Sequence, residues 1–149
     1  MKPVLSFVFA ALFGALPLAA QSVETSETDV VWEAITVSDT DNLKDFLWSA
    51  RPVVVFADSP NDPRFEQQLA LLQERAAELA ERDVVVLTDT DPEMGSNLRK
   101  TLRPRGFMMV LIGKDGGVKL RKPFPWDVRE LTRVIDKMPM RQREVRERR

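Results

Sequence analysis

The sequence predicts an α/β fold in which a four-stranded mixed sheet, built in the order β-α-β-α-β-β-α, is flanked by helices. Three observations carry this. Two near-continuous β-branched runs, residues 52–57 and 84–87, are joined by a long amphipathic stretch, and strand, helix, strand in that order makes a right-handed crossover between parallel strands. Two further apolar runs, 107–112 and 118–120, flank Asp115-Gly116-Gly117, a tight-hairpin signature because positive φ is cheap at glycine. Val128, Leu131, Ile135 and Met138 then form one apolar helical face.

Taken in order, Lys2, an apolar run over 4–18 and the small residues Ala19 and Ala20 have the three-part form of a secretory signal peptide. The run falls short of the roughly 20 apolar residues that a bilayer span requires, although an uncleaved anchor is the alternative. Cleavage after Ser22 places the small Ala20 at the minus-three position; cleavage after Ala20 would place Leu18 there. The organisation expected is a signal peptide over 1–22, a flexible segment over 23–41, the folded domain over 42–140 and an arginine-rich tail over 141–149. Removal of the leader leaves about 127 residues, enough for one core without disulfides. The location implied is periplasmic or secreted, with no stable membrane span after cleavage.

Within the 23–41 segment Val30, Val31, Trp32 and Ile35 can dock as a short strand. Leu43, Phe46 and Leu47 follow the capping candidates Thr40 and Asp41 at helical spacing, and Trp48 is expected in the core or at its rim. After the first long strand, Asp62 caps and Pro63 opens a helix with Phe65, Leu69, Leu72, Ala76 and Leu79 on one stripe. Asp91-Pro92 opens a shorter helical connection, weakened at Gly95 and ending near Pro104. In the last strand Val118 and Leu120 alternate with Lys119 and Arg121, which suits a charged edge. The final helix opens at Asp127 and is expected to stop at Pro139, leaving the tail exposed.

Composition excludes whole mechanisms. The chain has no cysteine and no histidine, which removes thiol redox exchange, Ser/His and Cys/His nucleophilic pairs, and nearly every kind of zinc site. The Gly113 to Gly117 cluster lies between strands, so it is not a phosphate loop at a strand-to-helix turn, and no cofactor is expected. Charge is divided: residues 23–99 hold 17 acids against 6 bases, and residues 100–149 hold 15 bases against 6 acids. Either the halves fold against each other and their fields cancel, or the surface has an acidic and a basic end that orients the domain on an anionic partner. Nucleic acid does not suit an exported protein with a pI near 5.6.

The element order is the thioredoxin-like arrangement. Leu47-Trp48, Arg51-Pro52-Val53-Val54-Val55-Phe56-Ala57, Asp62-Pro63-Arg64, Glu81-Arg82-Asp83-Val84-Val85-Val86, Gly106-Phe107, Ile112 to Arg121 and Ile135 to Arg141 together resemble the bacterial domain-of-unknown-function family numbered 4174, from about Asn42 to Glu144. Its animal relatives occur in secreted proteins beside sushi repeats, so the resemblance implies a matrix or adhesion role and no particular activity. Working thioredoxins carry CxxC just after the first core strand, where this chain has Asp58-Ser59-Pro60-Asn61-Asp62. They place a cis-proline immediately before the third strand, where this chain has Gly106, Phe107 and Met108.

Two residue groups remain as candidate sites. Asp58, Asp62, Asp89, Asp91 and Glu93 lie at the carboxyl ends of two parallel strands, where open sheets bind ligands, and clustered carboxylates can hold Ca²⁺ or act as an acid/base pair on a glycoside. Against this, Asp62 and Asp91 each precede a proline and read equally well as helix caps. The second group, Arg103, Arg105, Lys114, Lys119, Arg121, Lys122 and the tail with Arg141 and Arg143, could recognise an anionic envelope polymer or an envelope protein, or could be a solvated face. Trp126, in Pro123-Phe124-Pro125-Trp126, is expected to close the core over the last helix. The leading expectation is a non-catalytic binding or structural module; the rival is a carboxylate-dependent enzyme, possibly using a divalent metal.

Overall fold

The computed structural model describes residues 32–37 and 39–149. The signal-peptide expectation over 1–22, and Val30 and Val31, lie outside the described residues. The sheet has five strands in the order β1-β3-β2-β4-β5: β1 Ala34–Thr36, β2 Arg51–Phe56, β3 Val84–Asp89, β4 Met108–Ile112 and β5 Val118–Lys122. The expected count of four is therefore corrected. The additional strand lies in the 23–41 segment, pairing parallel to β3 with Ile35 opposite Leu87. The β2–β3 pair is parallel; β2–β4 and β4–β5 are antiparallel, so the sheet is mixed as expected.

Every residue of β2 is buried, because the central strand is covered on both faces. Its alternating side chains divide the core in two. Val53, Val55 and Ala57 meet Phe65, Leu72, Val128, Leu131 and Ile135, contributed by α1 Pro63–Glu74 and α4 Val128–Asp136. Val54 and Phe56 meet Leu98 and Leu102 from α3 Asn97–Leu102. Asp62 caps α1 by accepting from the Arg64 N–H at 2.9 Å, and Pro63 stands in the first turn. The expected helical stripe breaks at Arg75, after which α2 Ala76–Ala80 continues to Leu79. Asp91 caps a short 3₁₀ turn over Pro92–Met94 before α3 begins.

Three expectations fail locally. Leu43–Phe46 is a 3₁₀ turn capped by Asn42, while the Asp41 carboxylate accepts from the Asn97 N–H at 3.0 Å across the fold. Trp48 is 68% exposed with φ at 63°, and its N–H donates to the Lys114 carbonyl at 2.8 Å. Pro139 does not end the folded part: it opens α5 Pro139–Glu147, because a proline is tolerated in a first helical turn whose amides lack partners anyway. The tail is therefore helical, exposed along most of its length as expected but docked through Arg141, which is only 3% exposed.

The hairpin between β4 and β5 depends on Gly116. Its φ is +81°, and a Cβ there would stand 2.9 Å from Leu47 Cδ2. Trp126 packs against the α4 side of the core, as expected, and Lys122 Nζ lies 4.5 Å from its ring centroid.

Candidate functional site

The carboxyl ends of β2 and β3 sit together, with the Ala57 N–H donating to the Asp89 carbonyl at 3.1 Å. Asp58 and Asp89 thus share one end of the sheet, yet their side chains do different things. Asp89 is 1% exposed. Its Oδ2 accepts from the Ser96 hydroxyl at 2.6 Å and its Oδ1 from Arg99 Nε at 2.9 Å. Arg99 Nη2 also donates to the carbonyls of Ala57 and Asp89, and the guanidinium stands 5.4 Å from the Phe56 ring centroid. Asp89 therefore fastens α3 to the ends of two strands, and its oxygens are occupied.

Asp62 and Asp91 are helix caps, as the prolines after them suggested. Asp62 also binds Arg64, whose guanidinium beside the carboxyl holds it below the usual carboxylate range. Arg64 in turn lies over the Phe107 ring at 5.6 Å. Asp58 is exposed and accepts no hydrogen bond among the described residues. No three acidic side chains come together to hold a metal ion among the described residues.

The basic candidates also separate. Arg105 is exposed. Arg121 donates to the Leu102 carbonyl, tying β5 to the end of α3. Arg141 donates to the Glu81 carbonyl at 3.2 Å and to its carboxylate at 3.3 Å. Lys119 and Arg143, by contrast, line one cavity at the amino-terminal end of β2, together with Arg51 and Lys114.

This second end is built on charge. Arg51 is the first residue of β2 and 1% exposed; its guanidinium donates to the Arg82 carbonyl and to Glu144, each at 2.9 Å. Lys114 Nζ bridges Asp83 at 2.8 Å and Glu144 at 2.9 Å. Arg82 holds Asp136 through two bonds of 2.9 Å. Burial pushes the Glu144 carboxyl up, but hydrogen bonds from Arg51 and Lys114 outweigh it and leave the group below its ordinary 4.5. Across this seam Arg51–Glu144, Arg82–Asp136 and Lys114–Asp83 each join a residue before 99 to one after 100, and in Lys114–Asp83 the base comes from the basic half and the acid from the acidic half. Arg51 and Lys114 were the residues that sequence reasoning underused. A charged residue leading a fully apolar strand signals a buried counter-charge.

With both ends described, comparison with known proteins decides the family. The model of the Domain of unknown function (DUF4174) matches residues 42–144. The chain belongs to the DUF4174 family. Among solved structures, chloroplastic thioredoxin z is similar, with a TM-score of 0.54 and 20% identity over 72% of this chain and 95% of that one. Plasmodium yoelii Prx1a is also similar, with a TM-score of 0.52 and 15% identity over 66% of this chain and 79% of that one. At such identities the likeness is one of fold. This DUF4174 chain is thus thioredoxin-like in architecture and contains no cysteine to perform thiol exchange. No helix among the described residues is long and apolar enough to cross a membrane.

Proposed function

We propose that this DUF4174 chain is an exported module of the cell envelope that binds a partner and catalyses nothing by thiol chemistry. The observation that carries the reading is the stretch that follows β2. By sequence Asp58 to Asp62 correspond to the CxxC stretch of working thioredoxins and offer no thiol, Asp62 caps α1, and Arg64 lies over Phe107. A basic cavity at the opposite end of the sheet, and the three-part leader in the sequence, support a binding role outside the cytoplasm. Against the rival carboxylate enzyme stand the engagement of Asp89 by Ser96 and Arg99 and of Asp62, beside Asp58, by the α1 cap and Arg64.

The test is affinity capture from an envelope fraction, using the purified chain and its Arg143→Glu, Lys119→Glu double variant, beside an insulin-reduction assay. Salt-sensitive capture of one defined component, weakened in the variant, is the expected result. Unaided reduction of insulin disulfides would overturn the reading.

A further inference from the structure

We propose that the cavity at the amino-terminal end of the sheet binds a small soluble anion, a phosphate or carboxylate carried on an apolar body. The inference rests on the binding-module reading above and names a ligand class for it. The cavity measures about 370 Å³, within the range of about 300–1,000 Å³ typical of small-molecule sites. Its lining matches an amphipathic anion. Lys114, Lys119 and Arg143 contribute cationic side chains against the single carboxylate of Asp115, and Met138 and Met140 supply apolar surface.

The charges are not all spent internally. Lys119 is held by Asp115 at 2.9 Å, and Lys114 has two named acceptors for its three protons. Arg143 has no ion pair among the described residues. Arg51, also in the cavity wall, is out of water, and its Nε has no hydrogen-bond partner. The Arg51 charge is matched by Glu144 at 2.9 Å and Asp83 at 4.0 Å, so what remains for an acceptor oxygen in the adjoining space is its unmatched Nε–H.

The backbone points the same way. Helix α5 begins at the cavity, and its cap residue Met138 supplies no side-chain acceptor. The N–H groups of Met140 and Arg141 make no hydrogen bond among the described residues. By contrast α1, α3 and α4 are capped by Asp62, Ser96 and Asp127. An uncapped helix start carries partial positive charge and free donors, which suit an anionic oxygen.

Phenyl phosphate is the probe, titrated into the full chain and followed by amide chemical shifts. Saturable shifts are expected at Gly113, Lys119 and Met140, with inorganic phosphate binding at least tenfold more weakly and neutral benzyl alcohol not saturating. Arg143→Glu, at an exposed side chain, is expected to keep the native spectrum and weaken phenyl phosphate about tenfold, the scale of one charge-assisted contact. Arg143→Gln should fall between the two. Absence of saturable shifts, indifference to both substitutions, or shifts centred on Asp58 to Arg64 would each overturn the site. Equal affinity for inorganic phosphate would remove the apolar body from the proposal. Sedimentation with phosphatidate vesicles in the absence of phenyl phosphate binding would replace the soluble ligand with a lipid surface. Failed envelope capture alongside intact phenyl phosphate binding would sink only the macromolecular partner; the reverse pattern would sink only the cavity.

Discussion

Arg51 Nη2 donates to Glu144 Oε1 at 2.9 Å, joining the first residue of the central strand to the last helix across 93 positions of sequence. The ion pair makes α5 part of the fold's structure. Removing Glu144 leaves Arg51 buried without its carboxylate. Glu144→Ala is therefore expected to lower unfolding free energy by about 3 kcal/mol, read as a reduced denaturant midpoint at unchanged slope. Truncation before α5 should cost at least as much, so deletion of the tail cannot separate binding from folding, and point substitutions at Arg143 can.

Acid should destabilise the protein through the same seam. Hydrogen bonds and charge hold Glu144 below 4.5, and the Arg82 hydrogen bond holds Asp136 below 3.8. A group whose pKa is lower in the folded state stabilises it fully above the unfolded value, and that contribution is lost as pH falls through the folded value. Melting temperature is expected to vary little with these groups from pH 7 to about pH 5 and to fall at lower pH. Glu144→Gln should show a shallower acid limb, measured by thermal melts at matched ionic strength.

The two strand-end aspartates should respond oppositely to substitution. Asp89→Ala strips Arg99 and Ser96 of a buried acceptor and is expected to cost about 3–5 kcal/mol. Asp58→Ala touches no hydrogen bond among the described residues, and its effect is expected within about 0.5 kcal/mol. Parallel chemical denaturation of the two variants decides this. Equal effects would show that the Asp89 latch is not holding α3.

Trp48 pays a backbone penalty at a surface position. A left-handed conformation costs a side-chain-bearing residue about 1–2 kcal/mol, and Trp48 gains little burial in return. Trp48→Gly is expected to raise stability by about 1 kcal/mol, seen as a higher denaturant midpoint.

Much of this architecture was legible because local signals and burial agreed. The runs of β2 and β3 are apolar throughout, and Asp62-Pro63 and Asp127 mark helix starts that the fold uses. The hairpin followed from its glycines. What failed depended on partners far away in sequence. The short strand expected around Ile35 forms at Ala34–Thr36, and what the count of four missed is that β3 offers it an edge and makes it part of the sheet. Pro139 reads as a terminator until Arg141 and Glu144 are seen to meet Glu81 and Arg51. The charge at 141, 144 and 148, at helical spacing, was the available clue to α5. At the candidate sites, the caps at Asp62 and Asp91 were readable, whereas the burial of Asp89 depends on Arg99 from the following helix. The grouping of Lys119 with Arg143 required the docking of α5, which no local pattern supplies.

Gly116 closes the hairpin at a φ that disfavours any side chain, with Leu47 already in the space a methyl group would take. The neighbouring Trp48 is bonded through its backbone to Lys114, so a shift at the hairpin tip reaches the cavity wall. Replacement of Gly116 is thus penalised chiefly by its backbone angle, since the exposed Leu47 side chain can swing aside, and the hairpin tolerates change more readily along its charged flanks.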